Sequence, residues 1–310
     1  MRIVVLGAGV QGTVFAVRLA NAGHAVTLIA RSERAAELRR GGAAIQDLKT
    51  MQTSTRPLPV LDQLLPDLAA DVCLVAVRRE QIEAVLPTLV AATQIPRIVF
   101  LVNHANGSDG LRESLGRSRT VLAFPGIAGA SEGGVIQYVD IPQQRTVVER
   151  NAPDIFALFR EAGLPIQPVR DMDAWLQRHA VFITAIAGAL YENGCDALRL
   201  GQNPGAVRCF ILSVREGWAA LDRRNVAPAP LALRIILSRV PLRFSIGYWR
   251  RLFSSPRGDL YFARHTRHAP AEMAALAADV RTFLRPNQAP QLVRQLASID
   301  AWREQTGPNA

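Results

Sequence analysis

Along the first half of the chain, short unbroken apolar runs alternate with stretches in which apolar positions recur at helical spacing. Residues 1–6, 25–30, 72–77, 97–102 and 120–124 are rich in Val, Ile and Leu. Runs of this kind predict strands buried on both faces. Between them Thr13–Ala22, Gln81–Ala92, Gly110–Leu115 and Asp154–Ala162 predict helices, the last ended by Gly163. Strands alternating with helices predict βαβ units and a parallel sheet. The pattern loosens over the Gly- and Ser-containing stretch Ala128–Gly134, which reads as irregular, and Val135–Val148 predicts one or two late strands.

From Asp171 onward the strand signal nearly vanishes. Ala174–Glu192, Pro204–Arg224, Pro230–Phe253, Pro270–Leu284 and Gln288–Glu304 predict helices, with Pro, Gly or Asn at their borders. The expected organisation is an α/β domain over residues 1–168 followed by an all-helical domain over residues 169–310. Leu231–Phe253 is apolar with interspersed arginines and reads as a buried interface helix, with a membrane-surface helix as the alternative. The longest apolar run, Ala180–Tyr191, falls short of the ~18 residues that a membrane span needs.

The strongest motif is Gly7-Ala8-Gly9-Val10-Gln11-Gly12, directly after the first predicted strand and opening a helix. In that context the first glycine permits a tight turn, the second lets backbone approach a pyrophosphate, and the third allows close helix–strand packing. The helix that follows aims its amide-rich end at the phosphates. Gly7, Gly9, Val10, Gln11 and Gly12 are therefore expected to bind a dinucleotide. The second strand ends at Ile29-Ala30-Arg31, with Arg34 one turn further on. An acidic residue there would accept hydrogen bonds from the ribose 2′-hydroxyl of NAD. A guanidinium suits the 2′-phosphate of NADP instead, so NADP is the expected cofactor.

Composition narrows the class. With 49% hydrophobic and 20% charged residues in 310, the chain is neither disordered nor fibrous. The formal charge is +10, and Lys49 is the one lysine, so 35 of the 36 cations are arginines. These are scattered from Arg2 to Arg303 with no basic stripe interleaved with aromatics, which argues against nucleic acid as partner and suits small anionic ligands. Cys73, Cys195 and Cys209 fit no zinc or redox spacing and read as reduced thiols of a cytoplasmic protein. The N-terminus runs straight into a strand pattern without a cationic leader, so export is not expected.

With the motif in place, the chain resembles the ketopantoate reductase (2-dehydropantoate 2-reductase) family. Besides Gly7–Gly12 and Arg31, two further segments carry the likeness. In Val77-Arg78-Arg79-Glu80-Gln81, Arg78 stands at a family lysine and Gln81 at a family glutamine. In Leu101-Val102-Asn103-His104-Ala105-Asn106-Gly107, Asn103 stands at the asparagine of a Leu-Gln-Asn-Gly turn. The resemblance implies an N-terminal Rossmann domain with a doubly wound parallel sheet, a C-terminal all-helical domain, and NADP held partly by Arg78, Gln81 and Asn103. It further implies hydride transfer to a small 2-keto acid, no metal, and a homodimer formed through the helical domain. An asparagine at Asn103 offers both a donor and an acceptor, enough to hold a nicotinamide ribose and a substrate oxygen together.

The second half departs from the family. Gln177 stands where a lysine is expected, within Trp175-Leu176-Gln177-Arg178-His179-Ala180-Val181, and Val181 and Ala185 stand where asparagines would project. Glu272 resembles the family's late glutamate. Reduction of a ketone needs a proton donor and a positive group for the developing alkoxide. His179 is expected to serve as the acid because histidine titrates near neutrality, and Arg178 to hold a substrate carboxylate. His265 and His268 share a helical face, and a metal there would need a third ligand, for which Glu272 is the candidate. The expected function is an NADPH-dependent reductase of a small carbonyl compound. Two alternatives stand beside it: a catalytically inactive NADP(H) sensor, and a related 2-hydroxy-acid or opine-type dehydrogenase.

Overall fold

A computed structural model describes residues 1–228 and 231–306. The chain divides into two compact units, one comprising Met1–Val102 with Ser108–Met172, the other Asn103–Gly107 with Asp173–Ala310. In the first unit the strands are β1 (Arg2–Leu6), β2 (Ala25–Ile29), β3 (Ala43–Asp47), β4 (Thr53–Arg56), β5 (Val60–Leu61), β6 (Val72–Val75), β7 (Ile98–Leu101), β8 (Thr120–Phe124), β9 (Ile127–Glu132), β10 (Val135–Asp140), β11 (Thr146–Glu149) and β12 (Ile166–Val169). Its helices are α1 (Val10–Asn21), α2 (Ser32–Gly41), α3 (Ile82–Ala91), α4 (Asp109–Leu115) and α5 (Pro153–Glu161).

Eight strands form one sheet in the order β12-β11-β8-β7-β6-β1-β2-β5. From β8 to β5 all pairs are parallel, whereas β11 joins β8 antiparallel. β6 and β7 are buried at every position, as strands covered by helices on both faces must be. Phe15 of α1 meets Phe159 of α5 edge-on at 5.1 Å, within a core built on Val14, Leu19, Leu28 and Leu74. This is the doubly wound Rossmann arrangement that the alternating pattern predicts.

A second sheet, β4-β3-β10-β9, is a correction to the sequence reading. Ala128–Gly134 is not irregular: β9 pairs antiparallel with β10 across the two-residue turn Gly133-Gly134. Small residues there mask the strand because β9 buries little more than Ile127 and Ala128. Lys49 lies in the exposed turn joining β3 to β4.

From Met172 onward the described chain is helical apart from connecting turns: α6 (Met172–Glu192), α7 (Ala197–Gln202), α8 (Pro204–Asp222), α9 (Leu231–Arg234), α10 (Leu242–Phe253), α11 (Pro256–Gly258), α12 (Arg264–His268), α13 (Pro270–Thr282) and α14 (Pro290–Thr306). α6 is apolar on most of its circumference and buries Val181, Ala185, Ile186 and Leu190, the mark of a helix enclosed by others. The helix predicted over Pro230–Phe253 is broken. Its expected start at Pro230 lies outside the described residues; Ile235–Arg239 forms a π turn, and Pro241, lacking an N–H, restarts the chain as α10. Pro256–His268, which has no strong periodicity, is also helical, with a second π turn at Asp259–Ala263. Among the described residues no helix is long and apolar enough to cross a membrane. Cys73, Cys195 and Cys209 are all unbonded thiols.

Candidate functional site

In the first unit, adjacent parallel strands β6, β1 and β2 bring three loops to one edge of the sheet. These are the glycine loop after β1, Arg31 after β2 and the Arg78 turn after β6. Their carboxyl ends form the crevice where open α/β sheets receive ligands. Gly7 has φ +105°, and a Cβ there would stand 2.5 Å from the Ala76 carbonyl oxygen. A Cβ on Gly12 would stand 1.8 Å from the Gly7 carbonyl oxygen, so α1 presses directly onto the turn. Gly9 differs: no heavy atom lies within 4 Å of where its Cβ would be. The loop is packed tightly at its first and third glycines and open at the second, as close approach of a phosphate requires.

The neighbouring side chains sort into two groups. Gln11 donates from Nε2 to the Ile127 carbonyl at 3.0 Å, while its buried Oε1 has no hydrogen-bond partner among the described residues. Val10, half-buried, packs against the core of this unit. Arg31 precedes α2, is exposed, and its guanidinium has no hydrogen-bond or ion-pair partner among the described residues. Arg34 does not share that freedom. It donates to the Ala8 carbonyl at 3.1 Å and Thr13 Oγ1 at 3.3 Å and pairs with Glu37 at 3.1 Å, so it braces the floor of the glycine loop. Arg78 is exposed, and Gln81 Oε1 accepts from the Arg78 backbone N–H at 3.0 Å, capping the turn that leads into α3. The turn, closed at Gly7 and Gly12 and open at Gly9, fits a dinucleotide.

In the second unit the segment Asn103–Gly107 is tied to α13. Asn103 Nδ2 donates to Glu272 Oε1 at 3.0 Å, the Ala105 N–H donates to Asp279 Oδ2 at 3.4 Å, and Thr282 Oγ1 donates to Asn106 Oδ1 at 3.5 Å. Glu272, Asp279 and Thr282 recur at seven and three residues, one stripe along the helix. Glu272 sits in the first turn of α13, where its charge favours the helix, and its side chain is only 7% exposed. Its second oxygen, Oε2, lies 3.3 Å from His265 Nε2, and the His265 side chain is 50% exposed. One buried carboxylate thus holds an amide and an imidazole.

Two expected site residues take other roles. Arg178 is 2% exposed and donates to the carbonyls of Ala227, Trp218 and Val226 and to Asp222. Trp218 Nε1 returns a bond to the Arg178 carbonyl at 3.0 Å. The guanidinium therefore staples α6 to α8 and the turn beyond it, with no face left for a substrate carboxylate. His179 stacks on Trp175 at 4.9 Å beside Phe182, is 6% exposed, and its pKa is pushed down to about 3. Burial is the main cause; the His265 charge adds to it and the Glu272 charge opposes it. The ring is neutral at pH 7, so it does not supply the imidazolium that the sequence reading assigns to it. Among the described residues no group of three His, Cys, Asp or Glu side chains could hold a metal ion, so His265, His268 and Glu272 do not form one.

Residues 3–152 match the family model described as ketopantoate reductase PanE/ApbA. These residues, a little under half of the chain, are similar to the ketopantoate reductase family. The divergence is large, and no curated protein matches the chain. Among solved structures, a PanE/ApbA family ketopantoate reductase from Ralstonia eutropha JMP134 is 20% identical, with 98% of this chain and 99% of that one covered and a TM-score of 0.74. D-mandelate dehydrogenase in ternary complex with NADH and anilino(oxo)acetate is 13% identical, with 98% and 99% covered and a TM-score of 0.76. A dimeric ketopantoate reductase from Staphylococcus aureus is 13% identical, with 99% and 100% covered and a TM-score of 0.67. At such identities the likeness establishes the shared fold of the whole chain. His265, which sequence reasoning weighed only for a metal trio, stands 3.3 Å from Glu272, a candidate site residue.

Proposed function

We propose that this protein is an NADPH-dependent oxidoreductase that reduces the carbonyl of a small 2-keto acid. The observation that carries the reading is the glycine loop, closed at Gly7 and Gly12 and open at Gly9. Gly7, Gly9, Val10, Gln11 and Gly12 would cradle the pyrophosphate, Arg31 the 2′-phosphate, and Arg78 and Gln81 would flank the nucleotide on the β6 side. When bound, the dihydronicotinamide supplies the hydride. Asn103, oriented by Glu272, would present one donor and one acceptor to the nicotinamide ribose and the substrate. The relatives named ketopantoate reductase and the dehydrogenase solved with NADH and a 2-keto acid analogue support the substrate class and the cofactor type. A cytoplasmic homodimer is part of the proposal; the dimeric relative from S. aureus and three unbonded thiols support it.

The second reading, a nucleotide sensor without turnover, is favoured by Gln177 in place of a lysine and by the structural engagement of Arg178. The deciding experiment is a panel of small 2-keto acids and aldehydes, each with NADPH and with NADH, followed by loss of nucleotide absorbance. Turnover of any 2-keto acid with NADPH is the expected result. NADPH binding without turnover across the panel would establish the sensor instead.

A further inference from the structure

Reduction of a carbonyl delivers a hydride to carbon and leaves an oxygen that must take a proton. Around Asn103 and Glu272 the sources of that proton are few. Arg178 is locked in backbone contacts and an arginine does not give up its proton. His179 is enclosed by Trp175 and Phe182. Lys49, the one lysine, lies in the exposed turn between β3 and β4. His265 combines what remains necessary: half of its side chain is exposed, and Nε2 faces a buried carboxylate at 3.3 Å. A buried carboxylate favours the charged imidazolium, and an imidazolium is both a proton donor and a positive group for a developing alkoxide.

We propose that His265 is the catalytic acid of the reduction and that Glu272 is its positioning residue, aligning His265 through Oε2 and Asn103 through Oε1. The inference rests on the reductase reading above. In the step, the hydride and its electron pair reach the carbonyl carbon and the C=O π pair moves to oxygen. That oxygen takes the proton from the imidazolium, giving the hydroxy acid and a neutral imidazole that regains its proton from water. The charged and titratable groups around His265 include Glu272 on α13, His179 and Tyr191 on α6, and Arg264, Arg267 and His268 on its own helix, with the Tyr191 hydroxyl donating to the Thr266 carbonyl at 2.8 Å. Asp259, on the preceding turn, holds Arg264 at 2.8 Å and Arg267 at 3.3 Å. These two arginines are thereby compensated, and the Glu272 carboxylate pairs with His265.

The test uses the full chain with NADPH, and oxamate as an unreactive 2-keto acid analogue. For the wild type, reduction rate and oxamate affinity should both fall as pH rises through the titration of His265, read directly by histidine-resolved NMR. His265→Gln should lower the rate by roughly 10²–10⁴-fold, the range for a lost general acid, and flatten both pH profiles. Glu272→Gln should move the His265 titration to lower pH and carry the pH profile of the reduction with it, whereas a rate profile that stays in place would detach the pair from the chemistry. His179→Gln should keep both pH profiles. An unchanged rate and profile in His265→Gln would overturn the inference while leaving the reductase intact. Absence of wild-type turnover would overturn the reductase reading. In that event, oxamate binding that is pH-dependent in the wild type and not in His265→Gln would still support His265 as the acidic anchor, and pH-independent binding would overturn it.

Discussion

Gly9 has φ −75°, a conformation open to any residue, and empty space where a side chain would begin. A valine there should leave the protein folded and fill the space that a pyrophosphate needs. Gly9→Val is therefore expected to lose NADPH binding in titration calorimetry with an unchanged circular dichroism spectrum. In the proposed reading Arg31 carries the cofactor preference, because Arg34 is engaged by Ala8, Thr13 and Glu37. NADPH should bind at least about tenfold more tightly than NADH, or ~1.4 kcal/mol. Arg31→Asp should narrow or invert that ratio, whereas equal affinities in the wild type would remove Arg31 from the site. The glycine fingerprint is legible because each glycine answers to a local constraint within one turn. His265, Glu272 and Asn103 are not legible as a group, since Asn103 and Glu272 meet across 169 residues. The burial of Arg178 is hidden for a different reason: in a chain with 35 arginines, nothing local separates a stapling arginine from a solvated one.

Among the elements, α6 carries a buried neutral histidine whose cost appears in acid. His179 titrates at about 3 in the folded chain and near 6.5 when unfolded. Between these values the unfolded state binds the extra proton, so stability falls as pH drops below about 6.5 and levels off below about 3. From pH 7 to pH 5 this one group should remove about 2 kcal/mol. Denaturant unfolding of the wild type and of His179→Leu at the two pH values measures it; the variant should lose that much less. Elements with a strong period or a fully buried run were legible: β1, β2, β6, β7, β8, α1, α6, α8 and α13 fall within a few residues of their predicted bounds. β3, β4 and β9 were not, because short strands with half-exposed faces lack both an unbroken run and a clean alternation. The break in the helix predicted to run to Phe253 was written at Pro241, but apolar residues on both sides conceal it.

For the whole molecule, the charge of +10 is made almost entirely of one side chain type and is unevenly laid down. Residues 223–258 contain eight arginines and no acidic residue, all within the second unit. Arg239, Arg243 and Arg251 in that stretch form no ion pair among the described residues. Lys49 is the exception to the pattern, alone in its exposed turn between β3 and β4. Guanidinium groups are inert toward amine-directed reagents, so a succinimidyl ester finds one side chain on the protein besides the amino terminus. A dye, spin label or surface tether can thus be attached at a single mapped point of the first unit, while the second unit stays chemically silent. Intact-mass measurement should show no more than two adducts, and Lys49→Arg should leave one.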